Sequence, residues 1–483
     1  MLTSILERKY PVGIDDFAEM KAEKYFHWDR SLFIRDFMEI SSKVLSYFTD
    51  SCCLVFIHVL QNTLILRPRR WGKSLTMSMV KYFFDASEPE LAKELFATSR
   101  LAEEDPSFVD QHCGKWPVVF ITFASCTAET WADMKSMLIS IIADAYRMHR
   151  YLLDDEFLFP DERKPFEAIL NRDPTALYQV ALKDLTALLF RYYKKRVIVL
   201  IDEYDKPMHS AFENKYLDSA VPFLSSAITC CLKSNVYVLL DSAVSIPFSS
   251  DVISSRNLEK GLITGILKVA KYGYLSGLNN LVIYSALDQR FNTIFGVNEA
   301  EVHQALAVEG LSERFDQVRD LYYGYDIAGT SDRTFNPWSM LNYLNDKVLK
   351  PYWVKAGGTD KYVVNALFRS DEDDLKRYEA LLSGQQVTVP FRDDFRFDQI
   401  DDSISLWSLL FHGGYLTGHL ESGNLVGRIP NKEVLEEFGH IWRDYFVGGK
   451  LRTSHLSATK ALLAGDALTF ERELRQLARE VFR

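Results

Sequence analysis

The first half of the chain alternates between short unbroken apolar runs and longer stretches with helical spacing. Asn62–Leu66 predicts a strand and 74–84 a helix; 116–123, carrying Pro117-Val118-Val119-Phe120-Ile121-Thr122-Phe123, predicts a second strand, and 129–148 a long helix. Over 176–194 the residues Leu177, Val180, Leu182, Leu185, Leu188 and Leu189 recur at helical intervals. The run 197–201 follows as a strand with no polar face, and 261–264 reads as the end of another. Strands apolar on both faces must be covered on both. The alternation therefore predicts an α/β fold, a three-layer αβα core around a parallel sheet. Past about residue 285 the pattern changes to helices and aromatics, with helices over 299–309, 316–323 and 339–345, the last opened by Asn336-Pro337-Trp338 with proline in its first turn. From 406 to 427 a helix and a small hairpin are expected, with strands 415–417 and 425–427 around Ser422-Gly423-Asn424. That arrangement suits a winged-helix-like module, whose plain reading is a packing domain.

The first strand runs into Leu66-Arg67-Pro68-Arg69-Arg70-Trp71-Gly72-Lys73-Ser74-Leu75-Thr76. Gly72-Lys73-Ser74 matches the end of a P-loop, where backbone N–H groups and a helix N-terminus cradle phosphates, lysine meets the β/γ-phosphates and Ser/Thr meets Mg²⁺. Arg69, Arg70, Trp71, Gly72, Lys73, Ser74 and Leu75 are the candidate nucleotide-binding residues. Arg67 stands where the first glycine of that pattern belongs. Arg69 and Arg70 offer forked donors for an anion or for acidic neighbours.

A second element strengthens the first. Arg196-Val197-Ile198-Val199-Leu200-Ile201-Asp202-Glu203 reads as a buried strand ending in two carboxylates, and open α/β sheets carry their chemistry at the carboxyl ends of strands. Asp202 is the candidate partner of Ser74 at Mg²⁺, and Glu203 the candidate that orients water. Thr264, at the end of its strand, is either a polar sensor of the γ-phosphate or a strand-capping threonine.

These residues resemble the AAA-ATPase-like family, P-loop NTPases whose members often carry a C-terminal PD-(D/E)XK nuclease-like domain. The resemblance rests on Arg67 to Ser74, on Met79-Val80-Lys81-Tyr82-Phe83-Phe84-Asp85 and on Ile201-Asp202-Glu203-Tyr204-Asp205-Lys206-Pro207. It extends through Pro11-Val12-Gly13-Ile14-Asp15-Asp16-Phe17, Trp28-Asp29-Arg30-Ser31, Leu262-Ile263-Thr264-Gly265, Asn336-Pro337-Trp338-Ser339, Tyr352-Trp353 and Gly414-Tyr415-Leu416-Thr417. It implies that arginine at the first P-loop glycine is a family trait, that Asp29 lies near the nucleotide base, and that Lys268, where the family often has arginine, is a phosphate-sensing cation or a charge on the solvent face of a helix. The domains expected are 1–285, a P-loop NTPase; 286–445, a helical, winged-helix-like module; and 446–483, a helical stub that resembles the lead-in to the nuclease-like domain. No Asp…Glu-x-Lys constellation follows, so nuclease chemistry is not expected.

Two segments, 41–61 and 236–256, interrupt the family pattern. One begins with Val236 and the other ends with Gln61, as GT…AG boundaries allow, so each reads either as retained intron sequence or as a surface insertion.

With 483 residues and 47% hydrophobic content the chain has material for two to four domains. A net charge of −10 gives no overall drive toward nucleic acid or anionic membranes. The adjacent pairs Cys52-Cys53 and Cys230-Cys231, with Cys113 and Cys126, lack zinc or redox spacing and read as reduced thiols. The start, Met1-Leu2-Thr3-Ser4-Ile5-Leu6-Glu7-Arg8, has no signal-peptide core, and the expectation is an intracellular protein of cytoplasm or nucleus without a membrane partner. The cluster Arg191-Tyr192-Tyr193-Lys194-Lys195-Arg196 reads as a helix C-terminus complementing its dipole, ahead of a single-strand binding surface.

The function expected is Mg-ATP binding with hydrolysis of the β–γ phosphoanhydride driving a conformational switch, with ATP and Mg²⁺ as ligands, Lys73, Glu203 and Thr264 as catalytic candidates, and Ser74 and Asp202 at the metal. Two alternatives stand beside it: a nucleotide-binding scaffold without useful turnover, and the ATPase subunit of a nucleic-acid-processing system. Oligomeric state and macromolecular partners are not legible.

Overall fold

The unbroken apolar runs form the centre of a five-stranded parallel sheet. Its strands are β1 (Asn62–Leu66), β2 (Val118–Thr122), β3 (Val197–Asp202), β4 (Leu258–Gly265) and β5 (Leu281–Tyr284), in the order β2-β3-β4-β1-β5. Every residue of β1 and β3 is buried, as two-sided coverage by helices requires. The edge strand β5 is half-exposed along its length. Helix Lys73–Phe84 follows β1, Trp131–Met148 follows β2, and Tyr178–Tyr193 precedes β3 and packs along Leu217–Leu232. The computed structural model describes residues 9–40, 43–48, 54–59, 62–154, 157–233, 236–239, 257–269, 275, 278, 280–328, 330–353, 372–395, 403–448, 461–462 and 464–481.

Register matters for the chemistry. Thr122 pairs with Asp202, Ile201 with Ile263, Ile65 with Thr264 and Leu66 with Gly265. The carboxyl ends of β1, β2, β3 and β4 therefore finish level, and β4 separates the strand that feeds the P-loop from the strand that ends in acid.

A buried cation lies inside this sheet. Lys260, on β4, donates its ammonium to the carbonyls of Phe37 (2.8 Å), Met38 and Ile40 (3.1 Å) at the end of helix Leu32–Glu39. The amine supplies donors for helix-terminal carbonyls that have no intrahelical partner. Burial pushes Lys260 down to about 8.

Strands Lys43–Phe48, Leu54–Val59 and Val236–Leu239 form a separate antiparallel sheet, so the two interrupting segments pair with each other. The rest of both segments lies outside the described residues.

The chain divides into two compact units. The first is Met1–Glu301 with Ile327–Gly329 and Asp393–Phe397; the second is Val302–Asp326, Thr330–Arg392 and Asp398–Arg483. The second unit is mostly helical, with Phe315–Tyr322, Pro337–Asp346, Glu372–Leu382, Ser403–Gly413, Lys432–Gly448 and Ala467–Val481. Its antiparallel sheet joins Val387–Pro390 to Asn424–Arg428 and then Thr417–Glu421. The hairpin's first strand begins at Thr417 rather than Tyr415, because Gly414 turns left-handed (φ +87°) and the amides of Tyr415 and Leu416 close back onto the Leu410 carbonyl. Ser422 and Gly423 both have positive φ and form the two-residue turn. Glu433, fully buried, accepts from Ser339 Oγ (2.7 Å) and from the amides of Tyr352 (2.6 Å) and Trp353 (2.8 Å). That carboxylate explains why Asn336 to Ser339 and Tyr352-Trp353 occur in one chain: they meet on it.

Candidate active site

The loop between β1 and helix Lys73–Phe84 carries two left-handed residues, Arg70 (φ +66°) and Gly72 (φ +73°). At Gly72 the conformation suits a residue without Cβ, and there is open space where a side chain would sit. Gly72 is exposed, whereas Lys73 just inside the helix is buried. Lys73 Nζ donates to the Pro68 carbonyl (3.1 Å) and lies 3.3 Å from Glu203 Oε1. Loop and acidic strand thus meet through their two most chemical side chains. Ser74 and Leu75 follow in the first turn, both half-buried; Arg69 and Arg70 are half-buried and Trp71 is buried. Burial, then the neighbouring Arg69, lowers Arg70.

Arg67 points elsewhere. Its guanidinium is buried and donates to the carbonyls of Leu66 (2.7 Å) and Tyr284 (3.1 Å) and to Asn292 Oδ1 (2.7 Å), 5.3 Å from the Phe295 ring. Burial lowers it to about 10. In the place of the first glycine stands a clamp fastening the P-loop to β5 and the chain beyond it.

Asp202 is buried at the end of β3, and both its oxygens accept from threonines. Thr264 Oγ1 donates to Oδ1 at 2.5 Å, and Thr122 Oγ1 to Oδ2 at 3.3 Å. Glu203 follows in a left-handed conformation (φ +52°), uncommon for a residue with a side chain and characteristic of functional turns. Lys73, Asp202, Glu203 and Thr264 are thereby brought to one end of the sheet.

Residues 46–274, which contain all of this constellation, match the family model described as predicted AAA-ATPase. That stretch of the chain is similar to the AAA-ATPase-like family. Over 417 residues the chain is 26% identical to the "Uncharacterized protein in vnfD 5'region" of Azotobacter chroococcum mcd 1, a match covering 85% of this chain and 64% of that protein. The chain spans just under two thirds of that relative's length. The solved structure of the Aeropyrum pernix ORC2 protein in ADPNP-ADP complexes aligns with 86% of this chain and 93% of its own, at 11% identity and a TM-score of 0.29.

Beside the P-loop, Leu75 and Thr76 line a small cavity (about 40 Å³) with Phe17, Trp28, Asp29 and Met79. Trp28 Nε1 is buried with no hydrogen-bond partner among the described residues. The carboxylate of Asp29 accepts from the amides of Ser31 (2.8 Å) and Arg100 (2.9 Å). Burial pushes Asp29 up, but bonds from Ser31 and Arg100 outweigh it and leave it lowered. Arg30 pairs with Glu301 and donates to the Gly296 carbonyl (2.8 Å).

One expectation about cations needs correction. Lys268 lies on a two-residue strand, Lys268–Val269, parallel to Asp394–Phe395, and not on a helix; it pairs with Asp393 at 3.0 Å. The Arg191 cluster does end helix Tyr178–Tyr193 just ahead of β3; there Arg191 binds Glu162 (2.6 Å), Arg196 binds Glu259 (3.0 Å), and Lys195 sits 4.0 Å from the Trp116 ring centroid.

Sequence reasoning passed over Thr122, Tyr204 and Asp205. Thr122 ends an apolar strand and carried no signal. Asp205 and Tyr204 stood inside the acidic motif, and their partners lie some sixty residues away, at 264 to 269.

Among the described residues no helix is long and apolar enough to cross a membrane.

Proposed function

We propose that this AAA-ATPase-like domain binds Mg-ATP and hydrolyses its β–γ phosphoanhydride, and that turnover drives a conformational switch in the second unit. The observation carrying this reading is the meeting of Lys73, Glu203, Asp202 and Thr264 at the carboxyl ends of β1, β3 and β4. Backbone amides from Arg69 to Leu75 cradle the phosphates, with Lys73 neutralising β/γ charge and the Arg69 and Arg70 side chains adding donors. Trp28 and Asp29 mark the side where the base lies.

The residues fit the magnesium ion that travels with ATP. One carboxylate, Asp202, and one hydroxyl, Ser74, are the sparse protein donor set of an ion otherwise held by phosphates and water. Among the described residues no group of three or more His, Cys, Asp or Glu offers an independent metal site. When bound, that ion offsets phosphate charge. Glu203 orients a water, whose oxygen bonds to the γ-phosphorus as the bond to the bridging oxygen breaks; ADP and phosphate leave, and the water's proton passes to the phosphate product.

A route to the second unit supports the switch. The loop leaving Thr264 continues into Lys268–Val269, paired with Asp394–Phe395. Asp393–Phe397 belongs to the first unit, while the chain before and after it belongs to the second. Equilibrium binding tests the base of the proposal: Lys73→Ala should weaken Mg-ATP by about 10–100-fold, and equal affinity in both proteins would contradict it.

A further inference from the structure

We infer that Tyr204 and Asp205 are positioning residues that hold Thr264 on Asp202 by anchoring the loop that leaves β4. The inference rests on the ATPase reading above and adds to it the machinery behind its phosphate sensor.

Thr264 is the penultimate residue of β4, and strand ends fray unless something ties them. Here the turn that follows β3 does the tying. The Tyr204 amide donates to the Thr264 carbonyl (3.0 Å). Asp205 Oδ2 accepts from the amides of Ile266 (3.0 Å) and Leu267 (2.9 Å). Tyr204 Oη donates to the Leu267 carbonyl (2.6 Å) and accepts from the Val269 amide (3.0 Å). Between these anchors, Gly265 lets the chain pass so closely that a Cβ there would lie 2.6 Å from the Tyr204 ring and 2.8 Å from Asp205 Oδ1. The Gly265 carbonyl in turn accepts from the Arg67 amide at 3.2 Å, so the same point touches the P-loop.

The arrangement is costly. Asp205 is a buried carboxylate whose Oδ1 has no hydrogen-bond partner among the described residues, and desolvating an acceptor without a partner opposes folding. Burial pushes Asp205 up; His209, 3.4 Å from Oδ2, and the two loop amides outweigh it and leave the group lowered. A core needing only to fill space would not keep such a group. A carboxylate that fixes two successive amides fixes the path of the chain, and the Thr264 hydroxyl is placed by that path. The left-handed turn at Glu203 sends Glu203 toward Lys73 and Tyr204 and Asp205 toward the loop, so one turn organises both sides of the γ-phosphate.

The test compares wild type, Tyr204→Phe, Thr264→Ala and the double variant Tyr204→Phe/Thr264→Ala, with Asp205→Asn and Asp205→Ala as a second pair. The readouts are kcat, KM for Mg-ATP, and the ratio of ADP to ATP dissociation constants in Mg²⁺. Tyr204→Phe keeps the ring and loses only the hydroxyl. It should lower kcat about tenfold with KM within about twofold and shrink the preference for ATP. The double variant should be no worse than Thr264→Ala alone, because both changes act through one hydroxyl. Asp205→Asn, which retains an acceptor oxygen, should recover most of what Asp205→Ala loses. Full kcat and nucleotide preference in Tyr204→Phe, or losses that multiply in the double variant, overturn the inference. A wild type that binds Mg-ATP without turnover leaves the nucleotide preference to decide by the same comparison. A wild type that binds no Mg-ATP overturns the ATPase reading and this inference together, whereas full activity in Tyr204→Phe overturns this inference alone.

Discussion

Lys73 Nζ lies 3.3 Å from Glu203 Oε1, with the lysine buried and the glutamate one-fifth exposed. On the proposed reading, the charge that meets phosphate is already balanced by the group that orients water. Phosphate binding must exchange this partner, and the exchange opposes affinity. Glu203→Gln should therefore bind Mg-ATP about three- to tenfold more tightly than wild type, a gain on the order of 1 kcal/mol. Titration calorimetry reads this directly, and weaker binding would show that the pair does not compete with phosphate.

Arg67 is a structural clamp rather than a phosphate ligand. Restoring the glycine of the common P-loop pattern should not improve the loop. Arg67→Gly removes buried charge-assisted bonds to Leu66, Tyr284 and Asn292 and should cost about 2–4 kcal/mol. Thermal denaturation should show a loss of roughly 5–10 °C; an unchanged midpoint would refute the clamp.

Acid should destabilise the first unit through His149. The ring is buried, with Nδ1 3.0 Å from Tyr151 Oη, and burial holds it down to about 4. An unfolded histidine titrates near 6.5, so between about 6.5 and 4 the unfolded chain binds the extra proton and stability falls as pH falls. The contribution is fully present above 6.5 and amounts to about 3 kcal/mol when lost. Melts of wild type and His149→Phe from pH 7 to 4.5 should diverge in slope, and parallel slopes would remove His149 from the account.

The two interrupting segments should be dispensable for the core. Their strands pair with each other and not with β1 to β5. The residues flanking them gather at one end of β4: the Ile40 carbonyl accepts from Lys260 (3.1 Å), Asn62 Oδ1 fills the space a Cβ on Gly261 would need while its Nδ2 donates to the Leu232 carbonyl (2.9 Å), and the Asn257 carbonyl accepts from the Val197 amide (2.7 Å). A protein joining Ile40 to Asn62 and Asn235 to Asn257 should melt cooperatively and bind Mg-ATP within about threefold of wild type. Loss of the cooperative transition would make the segments part of the core.

The P-loop strand and the acidic strand were legible because each is a contiguous buried run ending in its own polar residues. The edge strand β5 was not, since four half-exposed residues carry almost no pattern. The clamp role of Arg67 was hidden for another reason: Tyr284 and Asn292 are more than two hundred residues away, and only the sheet order brings them beside it. Lys268 looked helical because a two-residue strand has no periodicity to read, and its partner strand lies at Asp394–Phe395. Local chemistry announces itself in a sequence; long-range hydrogen bonds that hold it in place do not.

Steady-state ATP hydrolysis by wild type and Glu203→Gln at saturating Mg-ATP tests the central claim most directly. The account predicts measurable turnover in wild type and a loss of at least about 100-fold in Glu203→Gln, with nucleotide binding retained. Equal turnover in the two proteins would contradict it.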